Sequence, residues 1–168
     1  MKKFWLVNLV LFQLCWLLAA FYQQQAVVFM LLIIILHFVL SPTKKLDFKV
    51  LPVALAGMLI DQILMQFAVV QFVGEPTVIP IWLMSLWVIF SFCLNHSLNW
   101  LNHIQVKYVV LLGATFGPIS YFGGLSLGAF ETSTSQNVFL LTYAAVWAIF
   151  LPLSRFYCQR FILESKSC

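Results

Sequence analysis

The sequence predicts an all-α polytopic membrane protein of six transmembrane helices, with both the N-terminus and the C-terminus cytoplasmic. Three observations predict it: the composition, the recurrence of apolar blocks of spanning length, and the one-sided placement of the basic residues. Of 168 residues, 63% are hydrophobic and 8% charged. A soluble domain carries about 25% charged residues, so this chain cannot cover itself with a water-compatible surface. Lipid is expected to do the covering.

The apolar blocks are Phe4–Tyr22, Gln25–Leu40, Val50–Phe72, Val78–Leu101, Tyr108–Gly128 and Val138–Ser154. A spanning helix needs about 20 mostly apolar residues, with a range of roughly 17–25. The second block is short and is expected to borrow Gln23 and Gln24. The first is too long for a signal h-region and runs into Tyr22 and Gln23 without a small-residue cleavage site, so an uncleaved helix is expected. The breaks hold Pro42, Lys44 and Lys45, then Gly74 to Thr77, Asn102 to Gln105, and Glu131 to Asn137, with the Pro, Gly, amides and hydroxyls of loops. No loop is long enough for a soluble domain, so residues 1–168 read as a single transmembrane domain. The two halves show no internal repeat.

Orientation comes from Lys and Arg. With the N-terminus inside, all nine fall on inside segments: Lys2, Lys3, Lys44, Lys45, Lys49, Lys107, Arg155, Arg160 and Lys166. The outside loops carry only Glu75 and Glu131. Basic residues favour cytoplasmic loops, and dropping a helix would move some of these charges outside. Trp5, Trp100, Tyr108 and Tyr157 fall near the inner boundary, and Tyr22 and Trp82 near the outer one, as amphipathic rings should. Trp16, Trp87 and Trp147 lie deeper and are expected to pack helices.

Several function classes are excluded. The net charge of +4 is scattered, with no dense basic face to follow a phosphate backbone, so no nucleic-acid partner is expected. Cys15, Cys93, Cys158 and Cys168 form no CxxC or Cys/His spacing. No metal site, no cofactor and no structural disulfide are expected. His37 and His96 could in principle ligate one haem axially, but nothing else in the sequence supports it. No GxSxG, HExxH, Walker or dinucleotide pattern occurs.

Hydrocarbon penalises polar groups, so those it tolerates are informative. Asp61 lies 11 residues from Val50, roughly 16 Å deep at about 1.5 Å per residue. A charged Asp at that depth costs about 2.5–3.5 kcal/mol, so it reads either as a proton, ion or substrate site or as a neutral packing lock. Gln62 and Gln66 suit interhelical hydrogen bonds, and Gly57, one turn before Asp61, suits close helix approach. In the fourth block Ser91, Asn95, Asn99 and Asn102 recur on one helical face, with His96 and His103 close by. Such a stripe lines a wet cavity or seals a polar seam. The fifth block has Gly113/Gly117 and Gly124/Gly128 at GxxxG spacing, and Pro118 is expected to kink or break that helix. Tyr121 supplies a hydroxyl nearby. Depth along the membrane normal puts Asp61, Ser91, Asn95 and Tyr121 in one interior cluster.

The blocks Gly57-Met-Leu-Ile-Asp61, Trp82-Leu-Met-Ser-Leu-Trp87, Leu94-Asn95-His96-Ser97-Leu98-Asn99-Trp100 and Gly117-Pro118-Ile-Ser-Tyr121-Phe-Gly-Gly124 resemble a bacterial family of small inner-membrane proteins, domain of unknown function 2878. The resemblance covers nearly the whole chain, and Asn-His-Ser-Leu-x-Trp and Gly-Pro-x-x-Tyr are its most specific parts. It implies a multi-pass protein of the bacterial inner (cytoplasmic) membrane and supplies no reaction.

The expected function is therefore a polar intramembrane site that binds or moves a small or lipidic ligand. The partners would be the lipid bilayer and that small-molecule or lipid ligand; the sequence names no protein partner. The candidate ligand-binding residues are Asp61, Ser91, Asn95, His96, Asn99, Gly117, Pro118 and Tyr121. The alternatives are a membrane enzyme acting on lipid, with Asp61 or His96 as acid/base, and a structural partner subunit without its own site. The sequence leaves open whether the chain is an enzyme.

Overall fold

The computed structural model describes residues 3–74 and 76–163. Among them the regular structure is helical: α1 (Phe4–Tyr22), α2 (Val27–Leu40), α3 (Lys44–Gln66), α4 (Ile81–Asn95), α5 (Val106–Ser126) and α6 (Gln136–Cys158). Short 3-10 turns over Gln23–Ala26 and Asn99–His103 join α1 to α2 and α4 to α5.

By length and composition, four stretches can cross a membrane: Phe4–Leu40, Lys44–Gln66, Val106–Ser126 and Gln136–Phe161; Ile81–Asn95 is a shorter apolar helix. The first stretch is not one rod. Gln23 takes φ 42°, ψ −119°, which ends α1, and the chain folds back until the Phe4 ring lies 5.4 Å from that of His37.

Bonds between helices show that the helices alternate in direction. At one end, His37 and His96 both reach Asp47, so the end of α2, the start of α3 and the end of α4 meet there beside Phe4. The same end holds the Tyr157 hydroxyl bond to the Lys49 carbonyl (2.9 Å) and the Gln159 bond to the Asn102 carbonyl (3.0 Å). At the opposite end, Gln71 and Glu131 exchange two backbone hydrogen bonds of 2.8 Å, so the α3–α4 and α5–α6 connections lie together. Gln62 clasps its own loop there, donating to the Thr77 carbonyl and accepting from the Ile79 amide, both at 3.0 Å.

Several features differ from the sequence expectation, among them the end of α3 at Gln66 rather than Phe72. α3 begins at Lys44 rather than Val50, because Pro52 falls in its third turn without ending it. α4 ends at Asn95 rather than Leu101, where His96 turns to φ −121°, ψ −89°. α5 runs unbroken through Pro118, so the expected break is absent. Gly113 and Gly117 lie within its span beside Trp147 of α6, and that packing holds the turn that leads into Pro118, where a hydrogen bond is missing.

The core of the bundle is aromatic. Trp87 of α4 and Trp147 of α6 stack with centroids 5.7 Å apart and planes 12° from parallel. Each indole rests on a glycine. A Cβ on Gly57 would come within 2.3 Å of the Trp87 ring, and one on Gly117 within 2.1 Å of Trp147. A Cβ on Gly113 would meet the Trp147 carbonyl at 2.3 Å. Small residues thus let four helices close on two large rings.

Candidate functional site

Three features compete for the role of site. The first is Asp61, fully buried in α3. Its Oδ2 accepts from the Trp87 indole N–H (2.6 Å) and the Tyr121 hydroxyl (2.7 Å); the Tyr143 hydroxyl reaches Oδ1 more distantly, at 3.5 Å. Tyr121 and Tyr143 stack with centroids 3.8 Å apart, so α5 and α6 present both hydroxyls together. Gly57 lies one turn before Asp61 and seats the same Trp87 ring whose N–H the carboxylate accepts. Position 57 admits the indole and position 61 orients it.

The second is a cavity of about 650 Å³ between α1, α4 and α5, closed behind by Trp147. α5 packs extensively on α6 and far less on α1 and α4, which leaves the space. Its wall is dominated by rings, among them Trp16, Trp82, Phe90, Trp100 and Phe116, and its few polar groups include Gln13, Ser120 and Tyr121. Trp16 donates to the Ser120 hydroxyl at 2.9 Å and bridges α1 to α5. Trp87 and Tyr121 belong to the wall, whereas Asp61 does not. The carboxylate therefore stands behind its two closest donors, out of the cavity.

The third is Asp47, fully buried in the first turn of α3, where the helix N-terminus favours negative charge. Its Oδ1 accepts from Asn95 Nδ2 (2.7 Å) and faces His96 Nε2 (2.7 Å). Its Oδ2 accepts from the Ser41 hydroxyl and faces His37 Nε2 (3.3 Å). The His37 ring is held flat on Phe92, with centroids 4.4 Å apart and planes 14° from parallel. Thr43 completes the group by accepting from Asn95 at 3.1 Å.

The residues named from sequence divide among these features. Tyr121 joins Asp61, but Ser91 and Asn95 do not. Ser91 donates to the Val88 carbonyl of its own helix (2.7 Å), and Asn95 and His96 join Asp47. The polar stripe breaks because α4 stops at Asn95. Asn99 falls on the 3-10 turn beyond, where Asn102 donates to its carbonyl and its side chain. Gly117 lines the cavity; Pro118 is buried in α5 but is not part of that wall.

Sequence reasoning missed Asp47, Trp87 and Tyr143. A signal for Asp47 existed. Asp47, Val50, Ala54, Gly57, Asp61 and Leu64 recur at alternating steps of three and four, and all are buried on one stripe of α3. Reading the stripe back past Pro52 reaches Asp47. No comparable spacing links Tyr143 to Asp61.

A family model described as "Protein of unknown function (DUF2878)" matches residues 5–153. No curated protein and no solved structure matches the chain.

Proposed function

For this chain, which belongs to that DUF2878 family of unknown function, we propose a bacterial inner-membrane protein of six spans that binds or moves a lipidic ligand in the aromatic cavity between α1, α4 and α5. The cavity is the observation that carries the reading. Its volume, about 650 Å³, falls among ligand sites of roughly 300–1,000 Å³, which are mostly apolar with a few placed polar groups. Apolar walls with Gln13, Ser120 and Tyr121 as the polar minority suit a long hydrocarbon or isoprenoid body with a small polar group. Asp61 serves this site from behind, by fixing the Trp87 and Tyr121 rings in its wall.

The alternation of helix directions supports six crossings. α2 has 14 residues, about 21 Å long, and the four-residue 3-10 turn before it adds about 8 Å, giving roughly the 30 Å of a hydrocarbon core. Lys3, Lys44, Lys45, Lys49, Lys107 and Arg155 fall at the end of the bundle that holds Asp47, and Glu131 at the other. That end is assigned to the cytoplasm. Cytoplasmic reporters fused after Lys45, Lys107 and Lys166 should be active, and periplasmic reporters after Glu75 and Glu131. A periplasmic C-terminus defeats the six-span arrangement.

The ligand is tested by mass spectrometry of lipid released from protein purified in mild detergent. Wild type should retain a specific lipid class, and Ala20→Phe and Leu86→Trp, which fill the cavity, should lose it. Equal lipid profiles in all three would refute the reading. A membrane enzyme is the second reading, and the observation favouring it is the close pairing of His96 with Asp47 at 2.7 Å.

A further inference from the structure

We propose that His37, Asp47 and His96 form a binding site for one divalent transition-metal ion of the zinc class, which clamps the ends of α2, α3 and α4 together. The three residues come from three different elements, and their ligand atoms all lie within 4.8 Å of one another. Both imidazoles address the one carboxylate through Nε2, at 2.7 and 3.3 Å. Ligands on a tetrahedral ion with bonds of about 2.0–2.1 Å are separated by roughly 3.3 Å, so these two spacings already approach that arrangement. An ion seated among them lengthens the His96–Asp47 contact from 2.7 Å toward that spacing and leaves the His37–Asp47 contact of 3.3 Å nearly as it is. His96 lies just past the end of α4, in non-helical backbone, where a small shift does not disturb a helix.

The chemistry of the donor set is specific. Two imidazoles and a carboxylate suit zinc, cobalt, iron and manganese rather than calcium or magnesium. Buried charges are paired or coordinate metals, and the charge partners the structure gives Asp47 are these two imidazoles. A metal ion replaces the imidazole protons that otherwise face the carboxylate. Ser41 and Asn95 then remain as its outer support, one on each oxygen, as ligating carboxylates require.

His37 Nδ1 is buried with no hydrogen-bond partner. Ligation through Nε2 moves the ring proton from the side facing the carboxylate to Nδ1, where no acceptor meets it. The same absence lowers affinity, because outer-shell partners of ligating histidines contribute about 10–100-fold. The site is therefore a moderate one. Three protein ligands leave a coordination position for water or an anion, and His96, whose side chain is 7% exposed while Asp47 is fully buried, marks the side from which the ion enters.

The test uses the full chain in detergent, carried on a tag without histidine, stripped with chelator and titrated with Co²⁺ as the spectroscopic probe. Wild type should bind one Co²⁺ per chain with visible absorption bands of nitrogen and oxygen coordination, and Zn²⁺ should displace it. Asp61→Asn should bind equally. His37→Ala and His96→Ala should each weaken binding by at least about tenfold, and excess Zn²⁺ should raise the unfolding midpoint of wild type but not of His96→Ala. Absence of stoichiometric Co²⁺ bands in wild type overturns the proposal without reference to any variant. So does wild-type affinity persisting in both histidine variants.

Discussion

α3 buries two aspartates on one stripe, 14 residues apart, about 21 Å along the axis. They differ in what donates to them. Asp61 is held by an indole and two phenols, and its close contacts converge on Oδ2. Asp47 is held by two imidazoles, a hydroxyl and an amide, with two groups on each oxygen. An indole N–H only donates and a phenol offers one hydroxyl, whereas an imidazole can donate, accept or ligate a metal through its ring nitrogens. The same residue type is thus a lock at mid-helix and a chemically responsive group at the helix start. Partner chemistry separates them, since both carboxylates are fully buried.

That contrast can be broken by substitution. The largest expected effect is Asp61→Leu, which leaves the Trp87 and Tyr121 donors buried and unpaired. At about 1–3 kcal/mol for each, the loss should be about 2–6 kcal/mol, read as thermal or denaturant unfolding in detergent. Unchanged stability would show that the lock carries no load.

Next comes Gly57→Leu. A Cβ there would lie 2.3 Å from the Trp87 ring, and overpacking costs about 1–3 kcal/mol or more. The same change at Gly128, where nothing lies within 4 Å of the added atom, meets only the strain of φ +75°. If the two cost the same, packing on the indole is not what position 57 provides.

The pair Asp47→Asn and Asp61→Asn sharpens the comparison most. At position 61 the amide oxygen can accept from both Trp87 and Tyr121, while the NH₂ faces only the distant Tyr143 hydroxyl, which can accept. The change should cost under about 1 kcal/mol. At position 47 the NH₂ meets either the Asn95 amide, which only donates there, or Ser41 and His37, which would have to turn from donating to accepting, so about 1–3 kcal/mol should be lost. Equal losses at the two positions would erase the distinction. Ser120→Ala, another small effect, removes one partly buried bond to Trp16, worth about 1 kcal/mol.

How much of this was legible depended on distance along the chain. The helical blocks were readable because apolar runs and charged breaks are local. Glycine at 57, 113 and 117 was readable as close packing because small residues in apolar helices have few other uses. Asp61 stood out as an ion in a hydrocarbon run, and depth alone paired it with Tyr121 of α5. Depth fixes one coordinate only. It could not say that Ser91 turns back on its own helix, or that Asn95 faces α3 near its start. The length of α4 was misread because Asn99 and Asn102 kept helical spacing past a turn that the spacing does not reveal. The Asp47 cluster needed three elements to meet, and its lysine neighbours made the aspartate look like part of a solvated loop.

The uncharged fold-back between α1 and α2 has a consequence for biosynthesis. Its turn, Gln23–Ala26, contains three amides and no ion, and Gln23 already returns one bond to the Ala20 carbonyl at 2.7 Å. In the proposed orientation this turn is the first part of the chain to cross the bilayer. Moving it avoids the penalty of about 2.5–3.5 kcal/mol for each ion carried through the centre, while Lys44 and Lys45, arriving next, stay behind. The first two helices can therefore enter as a preformed hairpin before the rest of the bundle exists. Substituting lysine at Gln24 should stall that entry, a defect visible in newly made chains and absent once the protein is assembled.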